Sequence, residues 1–290
     1  MKRSIIPKLS PRAIAINAGA GLIMVTGFIS FVHAKLAPPH FEVCSTRYHR
    51  QVTMRLDRDG TVLTPNDIQA VSNGQDEGVL DNLTIAQFNE GPVKFGMGVK
   101  LAQDTVEQRS NRGLPGGISL PWMPSVLEQP TAACLTYNIF LPADFVFGEG
   151  GTLPGLFGTT TNGQYGDAPN FGTNLAWHAG GAPKFHMQVK ADSDNRAAAF
   201  GTFDKAIPRG RWVRVEQELI LNVPGQPNGI ARLWFDGRLE TEVKSVDIRP
   251  APDVSIAGVS ADVYFGGSGT TGKAAQEATV WLSPFELRWN

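Results

Sequence analysis

The stretch "NLAWHAGGAPKFHMQVK" (174–190) contains two runs joined by a loop that carries glycine. In the second run Phe185, Met187 and Val189 alternate with His186, Gln188 and Lys190. A period of two sends one set to each face of a sheet, so the run predicts a β-strand. "NLAWH" (174–178) predicts its partner, and "AGGAP" (179–183) the hairpin loop between them. One face of the hairpin is apolar. The other carries imidazole, amide and ammonium groups, and these meet either water or a ligand.

The same alternation recurs outward from the hairpin. In "RWVRVEQELILN" (211–222), Val213, Val215, Leu219 and Leu221 take one face, while Arg214, Glu216 and Glu218 take the other. "VKFGMGVKLA" (93–102), "AACLTYNIFLP" (132–142), "IARLWFDGRLE" (230–240), "VYFGG" (263–267) and "TVWLSPFELRW" (279–289) read as further strands, with Asp236-Gly237 as a turn. The 32 glycines and 20 prolines punctuate short segments throughout. No internal repeat and no amphipathic helix longer than two turns follows residue 34. These features predict an all-β, two-sheet sandwich. Residues 35–90 are the least legible part. "DRDG" (57–60) reads as a turn, because the later ligands of a calcium loop are missing. "NLT" (82–84) is a glycosylation sequon.

The chain begins with Lys2, Arg3, Lys8 and Arg12 and no acidic residue before the apolar run 13–32. "VHA" (32–34) suits a signal peptidase, so residues 1–34 read as a signal peptide or as an N-terminal anchor. Residues 35–90 then form an N-terminal segment with the first strands, and 91–290 the main domain. Either reading of 1–34 predicts export, to a secreted, periplasmic or extracellular location. Without residues 1–34, 22 lysines and arginines stand against 27 acidic residues, a net charge of −5. Such a balance disfavours a nucleic-acid partner. No second apolar run is long enough for membrane insertion. Cys44 and Cys134 could pair as a disulfide in an oxidising compartment, and a buried Cys134 thiol is the other reading. No Cys/His cluster has structural zinc spacing, so no metal and no cofactor is expected.

"GEGGTLPGLFG" (148–158) resembles the "GGKLPGLxG" segment of the polysaccharide lyase family 14 alginate lyases, and of the related family 20 glucuronan lyases. The likeness continues in order from "LTYNIFLPADF" (135–145) before it. "FGTNLAWH" (171–178) is similar to "FSxRxMWR", "GRWVRVEQELILN" (210–222) to "GxWxxVxxxVxLN", "LWFDGR" (233–238) to "WxDGx" and "FGG" (265–267) to "FFGG". It covers roughly residues 90–290. It implies a concanavalin-like jelly roll with a concave sugar-binding groove, and β-elimination on an acidic, uronate-containing polysaccharide.

The chain departs from the family where that chemistry sits. The lysine of the family pattern falls on Thr152, its arginine on Asn174, and its Tyr-x-Tyr pair on His186 and Gln188. Threonine cannot replace an ammonium, and asparagine keeps donors but loses charge. Imidazole can move protons near neutrality, which predicts a pH–rate limb between about pH 6 and 7.5. The resemblance therefore gives His186, Gln188 and Asn174 as catalytic candidates. His178, Lys190, Arg214, Tyr165 and Trp234 follow as substrate-binding candidates, the two aromatics by stacking on sugar rings. Trp212 reads as core or edge packing. The loop 159–170 reads as a groove rim or as a plain loop. A non-catalytic carbohydrate-binding protein on the same scaffold is the rival reading. A glycoside hydrolase using Glu216 and Glu218 is a third, because two carboxylates about 5 Å apart suit a retaining mechanism.

Overall fold

A computed structural model of the chain describes residues 42–72, 77–102, 116–160, 169–190, 195–201, 205–266 and 276–290. The segment read as a signal peptide lies outside these residues, as does Tyr165. Among the described residues, no helix is long and apolar enough to cross a membrane. The strands are β1 (Arg50–Thr53), β2 (Asp57–Arg58), β3 (Thr61–Val62), β4 (Leu83–Gln87), β5 (Phe95–Leu101), β6 (Ile118–Trp122), β7 (Ala132–Phe140), β8 (Gly150–Leu153) and β9 (Gly155–Thr160). They continue as β10 (Phe171–His178), β11 (Pro183–Lys190), β12 (Asn195–Phe200), β13 (Trp212–Ile220), β14 (Gly229–Phe235), β15 (Arg238–Val246), β16 (Val254–Phe265), β17 (Ala278–Leu282) and β18 (Glu286–Trp289). Two short helices, α1 (Pro65–Ser72) and α2 (Val79–Asn82), complete the described elements with two 3₁₀ turns.

The strands form two large antiparallel sheets. One runs β15-β14-β13-β7-β17-β5-β4, with β18 bridging β7 and β1. The other runs β12-β11-β10-β8-β16-β6, with β9 set between β10 and β16. Leu135, Val213, Val215 and Leu219 of the first sheet share one core with Leu175, Trp177, Phe185 and Val259 of the second. This is the two-sheet sandwich that the alternation predicts. Of the N-terminal strands, β1 and β4 belong to it, since β1 pairs with β18 and β4 with β5, whereas β2 and β3 form a small sheet of their own.

Helix α1 is absent from the sequence reading. Its signal is "TPND" (64–67). The Thr64 hydroxyl accepts from the Asp67 amide at 3.2 Å, and Asp67 accepts from the Thr64 amide at 2.8 Å. Pro65 opens the helix, where a missing amide hydrogen does no harm. The "DRDG" stretch is a plain turn. Asp59 and Gly60 have φ of 53° and 86°, and Asp57 accepts from the Gly60 amide. The sequon asparagine, Asn82, is buried and donates its side-chain amide to the Gly117 carbonyl, so it does not present itself for glycosylation.

The outward face of β13 is covered by the chain that precedes β1. A disulfide joins Cys44 to Cys134 of β7, with Cα atoms 5.7 Å apart. From the tethered segment, the Ser45 amide donates to Glu216 at 3.0 Å. Arg47 reaches Glu218 at 2.7 Å, and the Tyr48 hydroxyl donates to Glu218 at 2.9 Å. Arg232 of β14 bonds Glu218 and Glu242, each at 2.6 Å. Burial, reinforced by Glu218, pushes the Tyr48 phenol well above its ordinary range. Both glutamates are 1% exposed and engaged in ion pairs, so the hydrolase reading of this pair fails on access.

Candidate active site

The hairpin "NLAWHAGGAPKFHMQVK" forms as β10 and β11, and its register sets which side chains meet. Asn174 stands opposite His186, Gly172 opposite Gln188, and Ala176 opposite Lys184. Gly180 and Gly181 make the turn with φ of 76° and 84°. A Cβ on Gly181 would lie 2.4 Å from the Phe147 ring, so two constraints select glycine there. Leu175, Trp177, Phe185 and Val189 fill the core. By alternation, Asn174, His178, Lys184, His186 and Gln188 face away from it.

On that outer face the two histidines touch. Their Nε2 atoms are 3.1 Å apart and their rings lie nearly parallel, with centroids 5.4 Å apart. One ring nitrogen donates and the other accepts, which two neutral imidazoles can do and two imidazoliums cannot. Burial lowers the pKa of both. For His186, burial first, then His178 and then Lys184 bring it to about 4; for His178 the causes are burial and Lys184. Both rings are therefore neutral at pH 7. This corrects the limb expected between pH 6 and 7.5, which assumed an unperturbed imidazole. The face is open beside them: a Cβ on Gly172, across from Gln188, would meet nothing within 4 Å.

The glycines of "GEGGTLPGLFG" shape the neighbouring strands. A Cβ on Gly155 would stand 1.7 Å from the Thr173 carbonyl oxygen, and one on Gly151 would stand 2.1 Å from the Trp177 ring. Only glycine allows β8 and β9 to lie this close to β10. Thr152, where the family pattern has lysine, is 1% exposed, and its hydroxyl donates to the Gly266 carbonyl at 3.1 Å.

The other candidates fall elsewhere. Arg214 is not on this sheet: it belongs to β13 and pairs with Glu216 at 2.8 Å. Trp234 is fully buried beneath Arg47, whose guanidinium carbon lies 5.7 Å from the ring centroid, so it offers no face to a sugar. The Arg214 error has a plain cause. Alternation assigns a residue to a face of its strand and does not say which sheet the strand joins. The backbone of Lys190 pairs with Asn195, but its side chain lies outside the described set, as does Tyr165. Trp212 is half-buried, edge-on to Phe88 at 5.5 Å, as packing requires. Sequence reasoning missed Lys184 and Tyr264. Lys184, Ala176, Thr152 and Tyr264 form one row across β11, β10, β8 and β16. Extending the alternation of "PKFHMQVK" one step back from His186 would have found Lys184.

The model of polysaccharide lyase 14 matches residues 92–285. The chain belongs to the polysaccharide lyase 14 family. Among solved structures, the marine PL-14 alginate lyase from Aplysia kurodai superposes with a TM-score of 0.66 at 16% identity, over 84% of this chain and 99% of that one. An alginate lyase from Chlorella virus gives a TM-score of 0.59 at 17% identity, over 72% and 89%. An endo-β-1,4-glucuronan lyase from the fungus Trichoderma reesei gives 0.53 at 11%, over 84% and 96%. At these identities the superpositions speak for the jelly-roll fold. No curated protein matches the chain significantly. The family match spans the hairpin, the "GGTLPGL" segment and β16, which are the elements that build the histidine face.

Proposed function

We propose that this protein is an exported lyase that cleaves a uronate-containing polysaccharide by β-elimination, with the His178–His186 pair as its proton-transfer centre. The observation that carries the reading is the pair itself: two imidazoles, neutral at pH 7, 3.1 Å apart on the face of a polysaccharide lyase sheet. Elimination needs a base for the C5 proton, an acid for O4 and donors for the carboxylate. His186 takes the C5 proton. That C–H electron pair becomes the C4=C5 double bond, the C4–O4 bond breaks, and O4 recovers the proton from the imidazolium. His178 shares the transient positive charge through its hydrogen bond. Asn174, in register with His186, and Gln188, at the open position beside Gly172, supply amide donors. The Cys44–Cys134 disulfide supports the exported location.

One observation favours the binding-protein reading: Thr152 is sealed in the sheet with its hydroxyl committed to Gly266, so the cation of the family pattern is missing there. A panel of polyuronates, incubated with purified protein and followed by ultraviolet absorbance, separates the two. A lyase produces unsaturated ends. Binding without them leaves a carbohydrate-binding protein in which His186 is a sugar contact only.

A further inference from the structure

Resting on the polyuronate reading, we infer that Lys184 is the cation that receives the substrate carboxylate, displaced along the sheet from the position where the family pattern carries lysine. The row Lys184–Ala176–Thr152–Tyr264 crosses four strands on the outer face. The family's ammonium would arise at Thr152. Here that site is occupied by a buried hydroxyl, and the ammonium arises in the same row two strands away, with only Ala176 between. Neighbouring strands lie about 4.8 Å apart, so the shift is near 10 Å at the backbone. A lysine stem of four methylenes spans much of that distance.

Three further observations fit. Lys184 is half-buried and has no ion-pair partner among the described residues, whereas Arg214 and Arg232 of the opposite sheet each pair with a glutamate. It stands two residues from His186 on the same strand face, and both imidazoles feel its charge. Of the described side chains on this face of β8, β10, β11 and β16, it is the one cation. An unpaired ammonium beside two neutral imidazoles repels protons and attracts an anion. A uronate carboxylate meets that need, and it sits on the carbon whose proton His186 removes. The amides of Asn174 and Gln188 then orient the carboxylate that Lys184 neutralises.

The test is binding of short polyuronate oligomers by titration calorimetry to wild type, Lys184→Met and Lys184→Arg, with carboxyl-reduced oligomers as control. A charged hydrogen bond at a partly exposed site predicts about tenfold weaker binding in Lys184→Met. Lys184→Arg retains most of the affinity, the salt dependence flattens in the methionine variant, and the reduced oligomers bind both proteins alike. If Lys184→Met folds, shown by an unchanged thermal transition, and binds polyuronate as wild type does, the inference is overturned. If Lys184→Met does not fold, Lys184→Gln and the arginine variant decide the same question. Cleavage by wild type together with unchanged binding by Lys184→Met overturns this inference alone. Binding that depends on Lys184 without any unsaturated product overturns the lyase reading alone.

Discussion

At the scale of single residues, the proposed site turns on one imidazole that stays neutral. General acid–base residues contribute about 10²–10⁴-fold, so His186→Ala should lower kcat by at least ~10²-fold. Gln188→Ala removes one donor worth roughly 1–1.5 kcal/mol and should cost about tenfold. Steady-state kinetics on a soluble polyuronate checks both. With its pKa held near 4 by burial, His178 and Lys184, His186 remains a base through neutrality. The acid limb of kcat/KM should therefore lie well below the ordinary imidazole value of about 6.5, and activity should fall only as pH drops toward 4. The same shift acts on stability. Between pH 6.5 and about 4 the unfolded chain binds a proton that the folded one refuses, so stability falls with falling pH across that window. His186→Gln should remove that part of the slope, as urea titrations at several pH values would reveal. The residue-level legibility was partial. His178, His186, Asn174 and Gln188 were readable because alternation on a hairpin with glycine in its loop fixes their face. Trp234 was not, because nothing in "LWFDGR" says that Cys44, Arg47 and Tyr48 fold over it.

At the scale of elements, the glycines of the "GGTLPGL" segment set how closely strands approach. Gly155→Ala places a methyl group against the Thr173 carbonyl, a contact with no flexible partner to yield. It should destabilise the protein by several kcal/mol or prevent folding, which expression yield and a denaturation curve would show. On the opposite sheet, Glu218→Ala strips a buried acceptor from Arg47, Tyr48 and Arg232. Removing one partner of a buried ion pair costs about 3–5 kcal/mol, so the urea midpoint should drop substantially. Activity measured well below that midpoint should hold, because this network lies on the sheet away from the histidines. Which elements were legible follows from their chemistry. Long alternating strands such as β7, β11 and β13 announce themselves. Helix α1 escaped because its signal is four residues long and lies among two-residue strands. Strand β16 was read only at its C-terminal end, since "VSIAGVSAD" (254–262) carries small residues that weaken the contrast between faces.

At the scale of the whole molecule, the disulfide closes a stretch of 90 residues and holds the N-terminal segment over the buried charges of β13. On the chain-entropy account such a loop contributes between 4 and 5 kcal/mol, roughly. The Cys44→Ser, Cys134→Ser variant should unfold at a clearly lower denaturant concentration, and reductant should have the same effect on wild type and none on the variant. The sandwich as a class was readable from period-two patterning, and the family from an ordered set of motifs. The assignment of strands to sheets was not, because it rests on pairings between residues far apart in the chain, such as β1 with β18. The central claim joins all three scales: a polysaccharide lyase scaffold, a histidine hairpin set into one of its sheets, and one imidazole that moves the proton. Its most direct test is the release of unsaturated ends from polyuronates at neutral pH, by wild type and by His186→Ala at equal folded concentration. The account predicts steady product from wild type and at least a ~10²-fold slower rate from the variant. Equal rates from the two proteins, or no unsaturated product from a wild type that binds the polymer, would contradict it.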